Sequence, residues 1–206
     1  RVLFRSGLST VLAGLAGGCS SSDSSGGGGT SSSSSTGSAQ PDCMAYCTAI
    51  LANCTDANAQ YGSMDTCMTS CAAFPLGTAD DTTGNTVGCR AYHAGAAAMD
   101  PATHCTHAGP GGGGVCGTNC EGYCSIVMAS CTDANAVYAD EAACTTACAG
   151  FDASKAYSTA ETGGDTLACR LYHATAASSD PDVHCAHTGA TSAPCSGGAG
   201  GGGGGG

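Results

Sequence analysis

The chain has 206 residues, 34 of them glycine and 17 cysteine, with no tryptophan and three phenylalanines. Alanine and cysteine supply most of its 42% hydrophobic content, which excludes an aliphatic core of ordinary size and calls for covalent staples. Five basic residues stand against sixteen acidic ones, for a formal charge of −11; this excludes nucleic acid and anionic lipid headgroups as partners, because both need clustered Lys and Arg.

The first segment reads as an export signal. Arg1 and Arg5 form a basic start, and Leu8 to Ala16 form a short apolar run. Such a run is too short to cross a bilayer and suits a signal peptide over residues 1–18. The stretch Leu15-Ala16-Gly17-Gly18-Cys19 resembles the lipobox of bacterial lipoproteins. That resemblance implies cleavage before Cys19, acylation of Cys19, and an exported protein held at the outer membrane or cell surface by its lipid anchor. Leu15 stands four residues before the cysteine rather than the usual three, so cleavage by a general signal peptidase is the alternative. Residues 19–41 then form the lipidated cysteine and a Ser/Gly tether, which has too little apolar surface to fold. A second glycine tract, residues 196–206, is expected to be a disordered tail.

Between these tracts the chain repeats itself. Cys43, Cys47, Cys54, Cys67 and Cys71 recur at the same spacing as Cys120, Cys124, Cys131, Cys144 and Cys148. Cys89, Cys105 and Cys116 recur as Cys169, Cys185 and Cys195, after a longer loop over residues 149–164. Two cysteine-rich modules follow, residues 42–116 and 117–195. Only Gly117 to Asn119 join them, so they should pack closely. Sixteen cysteines in two sets of eight, with Cys19 left over, is the arithmetic of a disulfide framework in an oxidising compartment.

The fold class expected is all-α, with about four helices per module. Cys43, Cys47, Ile50, Leu51 and Cys54 fall on one helical stripe, matched by Cys120, Cys124, Val127, Met128 and Cys131. Helix-start residues come in matched pairs: Asp42 and Asn119, Ser63 and Asp140, Asn85 and Asp165, and Asp100-Pro101 with Asp180-Pro181. They predict helices near 43–54, 64–73, 86–98 and 101–107, with counterparts in the second copy. The paired Cys-x3-Cys elements on the first two helices resemble the twin Cys-x3-Cys helical hairpin of small disulfide families. The resemblance implies Cys43–Cys71 and Cys47–Cys67, with Cys120–Cys148 and Cys124–Cys144. Three pairings then remain for the last four cysteines of each module. Cys54–Cys89 with Cys105–Cys116 is favoured, since Cys54 shares the inward face and Cys105 lies near Cys116; Cys131–Cys169 with Cys185–Cys195 is the counterpart.

All six histidines lie in two matched stretches, Cys89–His107 and Cys169–His187. His93 follows Cys89 by one helical turn, and His104 and His107 share a face of the fourth helix. His173, His184 and His187 repeat the pattern. Three converging imidazoles suit a transition metal, Cu or Zn, and less well haem iron; the bland alternative is packing within a small core. The cysteines, if paired, offer no thiolate to a metal or a substrate. Arg90 and Arg170 are read as salt-bridge or ligand-contact residues, with Asp56 and Asp133 as expected partners. Tyr92 and Tyr172 are expected in the core. No phosphate loop, nucleophile elbow or His-Glu-x-x-His motif occurs, so an enzyme is not expected. The function expected is therefore a non-enzymatic surface lipoprotein with two structural or binding modules, or alternatively a metal-binding one. A protein or surface polymer is the class of partner left open.

Overall fold

The computed structural model describes residues 40–196. The signal segment, Cys19, most of the tether and the glycine tail from residue 197 lie outside the described residues. Both modules belong to one compact unit. Eight α-helices and no strand are found among the described residues. The first module contains α1 (Cys43–Asn53), α2 (Met64–Cys71), α3 (Val87–Ala96) and α4 (Pro101–Ala108). The second contains α5 (Asn119–Ser130), α6 (Glu141–Cys148), α7 (Leu167–Ala177) and α8 (Pro181–His184), the last continued by a 3₁₀ turn, Cys185–His187. No described helix is long and apolar enough to cross a membrane.

Capping explains most of the boundaries. Asp42, Ser63, Asp140 and Asp100 accept hydrogen bonds from the expected first-turn N–H groups of α1, α2, α6 and α4. Asp180 stands at the start of α8 without a side-chain cap bond. Three starts differ from expectation by one residue. Thr86 and Thr166, rather than Asn85 and Asp165, cap α3 and α7. Thr118, rather than Asn119, caps α5 in a capping box with Glu121. The displaced residues have other duties: Asn85 and Asp165 each accept a hydrogen bond from the arginine five residues on, and Asn119 Oδ1 accepts from Gly113 N–H.

Four of the eight disulfides are those implied by the hairpin resemblance, Cys43–Cys71, Cys47–Cys67, Cys120–Cys148 and Cys124–Cys144. The other four correct the favoured pairing. They are Cys54–Cys105 and Cys89–Cys116, with Cys131–Cys185 and Cys169–Cys195. The reason lies in how α1 lies against α3. The Asn53 side chain donates to Ala94 O at 2.9 Å, which places the end of α1 beside the last turn of α3. Cys54 is then more than a turn away from Cys89, and α4 passes next to it. Cys89 sits in the first turn of α3, where the loop after α4 returns.

The core is small, as the composition requires. Tyr46, Ile50, Val87 and Ala94 fill the first module, and Tyr123, Ile126, Val127, Leu167 and Leu171 the second, among buried disulfides. The modules pack against each other through short polar bonds. Thr69 and Ser178 hydroxyls lie 2.8 Å apart, and Ser179 donates to Asp65 at 3.2 Å. Asn85 donates to Ser125 at 3.1 Å, and Thr159 N–H to Ala59 O at 2.9 Å.

Peptide mapping of unreduced protein should recover Cys54–Cys105 and Cys89–Cys116, not Cys54–Cys89. The Cys54–Cys105 bond spans 51 residues, the longest separation in its module, and should contribute about 4 kcal/mol by chain entropy. Replacing both cysteines by alanine should therefore lower the unfolding midpoint more than replacing Cys47 and Cys67, read by chemical denaturation.

Candidate metal centres

Two disulfides position each histidine cluster. Cys89, one turn before His93 on α3, is tied to Cys116, and Cys105, between His104 and His107 on α4, is tied to Cys54. The three rings meet in the angle between those helices. His93 Nδ1 lies 2.8 Å from His104 Nδ1, and His93 Nε2 lies 3.2 Å from Thr82 O. Ring centroids are 5.1, 5.0 and 6.0 Å apart for 93–104, 93–107 and 104–107.

The second module repeats this. His173 Nδ1 and His184 Nδ1 are 3.0 Å apart, and the centroid distances are 5.3, 4.8 and 6.0 Å. In each cluster one nitrogen from every ring lies within 4.8 Å of the others. The sequence thus brought together all six residues it singled out, three and three.

The hydrogen bonds define the protons. A carbonyl only accepts, so His93 carries its proton on Nε2 and points a lone pair from Nδ1; His104 Nδ1–H donates to it. A ring nitrogen fixed as an acceptor by a carbonyl behind it is the usual arrangement of a metal-ligating histidine. His107 Nδ1 and His187 Nδ1 are buried with no hydrogen-bond partner, as is His173 Nε2. Unpartnered buried polar atoms cost free energy in a packed protein.

Burial, and then the neighbouring rings, make protonation difficult. It lowers His93, whose Thr82 bond acts in the opposite direction, and lowers His107, where His93 and His104 add to the effect. His184 is lowered by burial and by His187, against Asp180. His173 is pushed down to about 4, by burial first and then by His187 and His184. His93, His107, His173 and His184 are therefore biased toward the neutral imidazole, the form that binds metals.

The arginines do not meet their expected partners. Asp56 and Asp133 are exposed, each with positive φ at the start of a 3₁₀ turn. Arg90 is fully buried, its guanidinium carbon 3.6 Å over the Phe74 ring. It donates to the Thr86, Gly109 and Pro110 carbonyls and to Asn85 Oδ1, so no carboxylate holds it. Arg170 stacks on Phe151 at 3.9 Å and pairs with Asp165 at 2.9 Å. Both have structural roles. Tyr92 is 51% exposed and Tyr172 only part-buried; the core tyrosines are Tyr46, Tyr61, Tyr123 and Tyr157 instead. The Thr82 carbonyl was missed in the sequence, because a backbone acceptor in a loop leaves no residue-type signal.

Residues 27–121, and again 118–202, match the family model described as BfoA family C-terminal domain. The chain belongs to this family. It carries the domain twice in tandem. It is 42% identical over 64 residues to "Aurasperone B biosynthesis cluster protein A" of Aspergillus niger, covering 31% of this chain and 21% of that protein. It is 42% identical over 66 residues to "Bifonsecin B biosynthesis cluster protein A" of Aspergillus brasiliensis, covering 31% and 22%. The chain thus spans about a fifth of the length of the curated relatives it matches. No solved structure matches. The eight disulfides of this chain indicate a secreted or extracellular protein.

The metal-free protein should lose stability as pH falls from about 6.5 to about 4. In that window the unfolded chain takes up a proton at His173 that the folded state refuses. Stability is fully present above the unfolded value and levels off below the folded one. Thermal unfolding across the window checks this, and His173→Gln should shrink the slope.

Proposed function

We propose that this is an exported, non-enzymatic binding protein whose modules each hold one transition-metal ion, Cu(II) or Zn(II), through His93, His104 and His107 and through His173, His184 and His187. The observation that supports this most is the unpartnered buried Nδ1 of His107, repeated at His187, on a ring one of whose nitrogens lies within 4.8 Å of those of two other imidazoles. A core histidine used only for packing would find a partner for that atom. Zinc–nitrogen bonds of about 2.0–2.1 Å put two ligands of a tetrahedral ion about 3.3 Å apart. The 2.8 Å between His93 and His104 is the length of a hydrogen bond, so the rings need separate by only a few tenths of an ångström once an ion replaces the shared proton. His104 would then carry its proton on Nε2 and offer Nδ1 as a ligand.

Haem iron fits less well. A porphyrin between two axial imidazoles occupies the plane around the iron, and here the third ring sits beside the other two. The donor set, three nitrogens with no thiolate, favours Cu and Zn over softer demands. Sixteen paired cysteines leave no sulfur nucleophile in the modules, which supports a binding role over catalysis.

The outer-membrane or cell-surface location rests on the lipobox-like segment, and the tether would display the modules away from the bilayer. Membrane attachment through Cys19 is tested by the mass of the N-terminal peptide: an acylated Cys19 supports it, and an unmodified cysteine or cleavage beyond it sinks it.

Elemental analysis of purified protein titrated with Cu(II) or Zn(II) should approach two ions per chain. His104→Ala together with His184→Ala should abolish uptake, with helicity and disulfides unchanged. No uptake by the correctly folded wild type would reduce the clusters to packing.

A further inference from the structure

The repeat has an internal interface, and each module leaves the other half of that interface bare. Within the chain, α2 of the first module meets α7 of the second. Asp65 and Thr69 on α2 bond Ser179 and Ser178 just after α7. Leu171 and Thr175 on α7 are 1% and 3% exposed, and a side chain on Gly111 of the first module would press on Leu171.

The counterparts of these faces are largely exposed among the described residues, with Ala91 alone half-buried against the core. On α6, Ala142 and Thr146 stand where Asp65 and Thr69 stand on α2, and both are exposed. They line a shallow groove of about 1020 Å³ with Thr145, Ala149 and Glu141. On α3, Ala91, Gly95 and Met99 stand where Leu171, Thr175 and Ser179 stand at α7. Gly95 is exposed, Tyr92 beside it is 51% exposed, and Met99 is 91% exposed. One polar pair of the internal interface has become apolar, with Ala142 and Met99 in place of Asp65 and Ser179; in the other, Thr146 keeps the hydroxyl of Thr69 and Ala98 replaces Ser178.

We infer that the α6 face of one copy docks the α3 face of a second copy, head to tail, repeating between chains the contact already made within one. An exposed methionine and tyrosine on one face meet an apolar groove on the other, and burying such side chains favours association. The same face is not used twice, so the contact is heterologous and propagates into chains rather than closing as a two-fold dimer. Glu121, Asp140 and Glu141 rim the groove, so acidic repulsion opposes docking at low ionic strength and salt relieves it.

Sedimentation of the full chain, with chelator present to remove metal bridging, tests this at about 0.05 M and about 0.5 M salt. Concentration-dependent growth beyond the monomer is expected, stronger at high salt. Met99→Glu and Ala142→Glu, each at an exposed site, should each weaken association at least about tenfold. Mixed together, these two variants should form a dimer that grows no further, because each retains the face the other lacks. Circular dichroism and unreduced peptide maps confirm that both variants fold. A wild type that stays monomeric up to about millimolar concentration, where contacts of physiological strength are populated, overturns the proposal. So does association indifferent to Met99→Glu, or a variant mixture that fails to pair.

Discussion

Cross-links stand in for an interior that the composition cannot supply. Each module has a handful of buried aliphatic and tyrosine side chains, too few to balance the conformational entropy of some seventy ordered residues by burial alone. The disulfides act on the other side of that balance, by restricting the unfolded chain. Their arrangement matters as much as their number. The two hairpin bonds fix α1 against α2 and α5 against α6. The remaining two in each module fix the third and fourth helices against the rest, and the histidines ride on those helices. A cluster of close and incompletely bonded imidazoles is not a favourable arrangement by itself. It persists because the backbone around it has nowhere to relax.

The buried arginines add a second, non-covalent constraint of the same kind. Arg90 gathers the Thr86, Gly109 and Pro110 carbonyls around one guanidinium and covers Phe74. It ties the start of α3 to the loop after α4 and to the end of α2. An unpaired buried cation is ordinarily expensive; here the carbonyl dipoles and the aromatic face replace water around it. The cost of its burial is visible in the guanidinium's lowered proton affinity. In the second module Arg170 keeps the stacking and the Asp165 contact but leaves its Nε without a partner. The same device is thus less complete where the chain has diverged.

What the sequence revealed, and what it hid, follows from the range of each interaction. Helices α1, α2 and α6 were legible because a capping Asp or Ser acts three residues away. The convergence of His93 with His104 and His107 was legible because one helical turn from a cysteine fixes the face. The pairing of Cys54 was not, because it depends on which end of α3 lies beside α1, and that is set by Asn53 and the Ala94 carbonyl across 41 positions. The arginine partners failed for a similar reason. A guess based on charge looked for a carboxylate, while a residue this deeply buried is satisfied by backbone oxygens and a ring. The Thr86 and Thr118 caps were within reach of a closer reading, since each carries a hydroxyl immediately beside the residue chosen.

Duplication by itself says little about a site, since it copies scaffold and function alike. The differences between the copies say more. The continuous helix of the first module, Pro101–Ala108, becomes a four-residue helix and a 3₁₀ turn in the second. The loop before the third helix lengthens, and the hydrogen bond that His93 Nε2–H donates to Thr82 O is matched at His173 only by a weaker approach to the Thr162 backbone, which leaves Nε2 without a well-formed partner. Through these changes the corresponding ring separations stay within 0.2 Å of each other at every pair. The disulfides common to both modules hold the helices that carry the rings, so the rings keep their spacing although the backbone between them changes form; a constant spacing of this kind is what the proposed coordination requires.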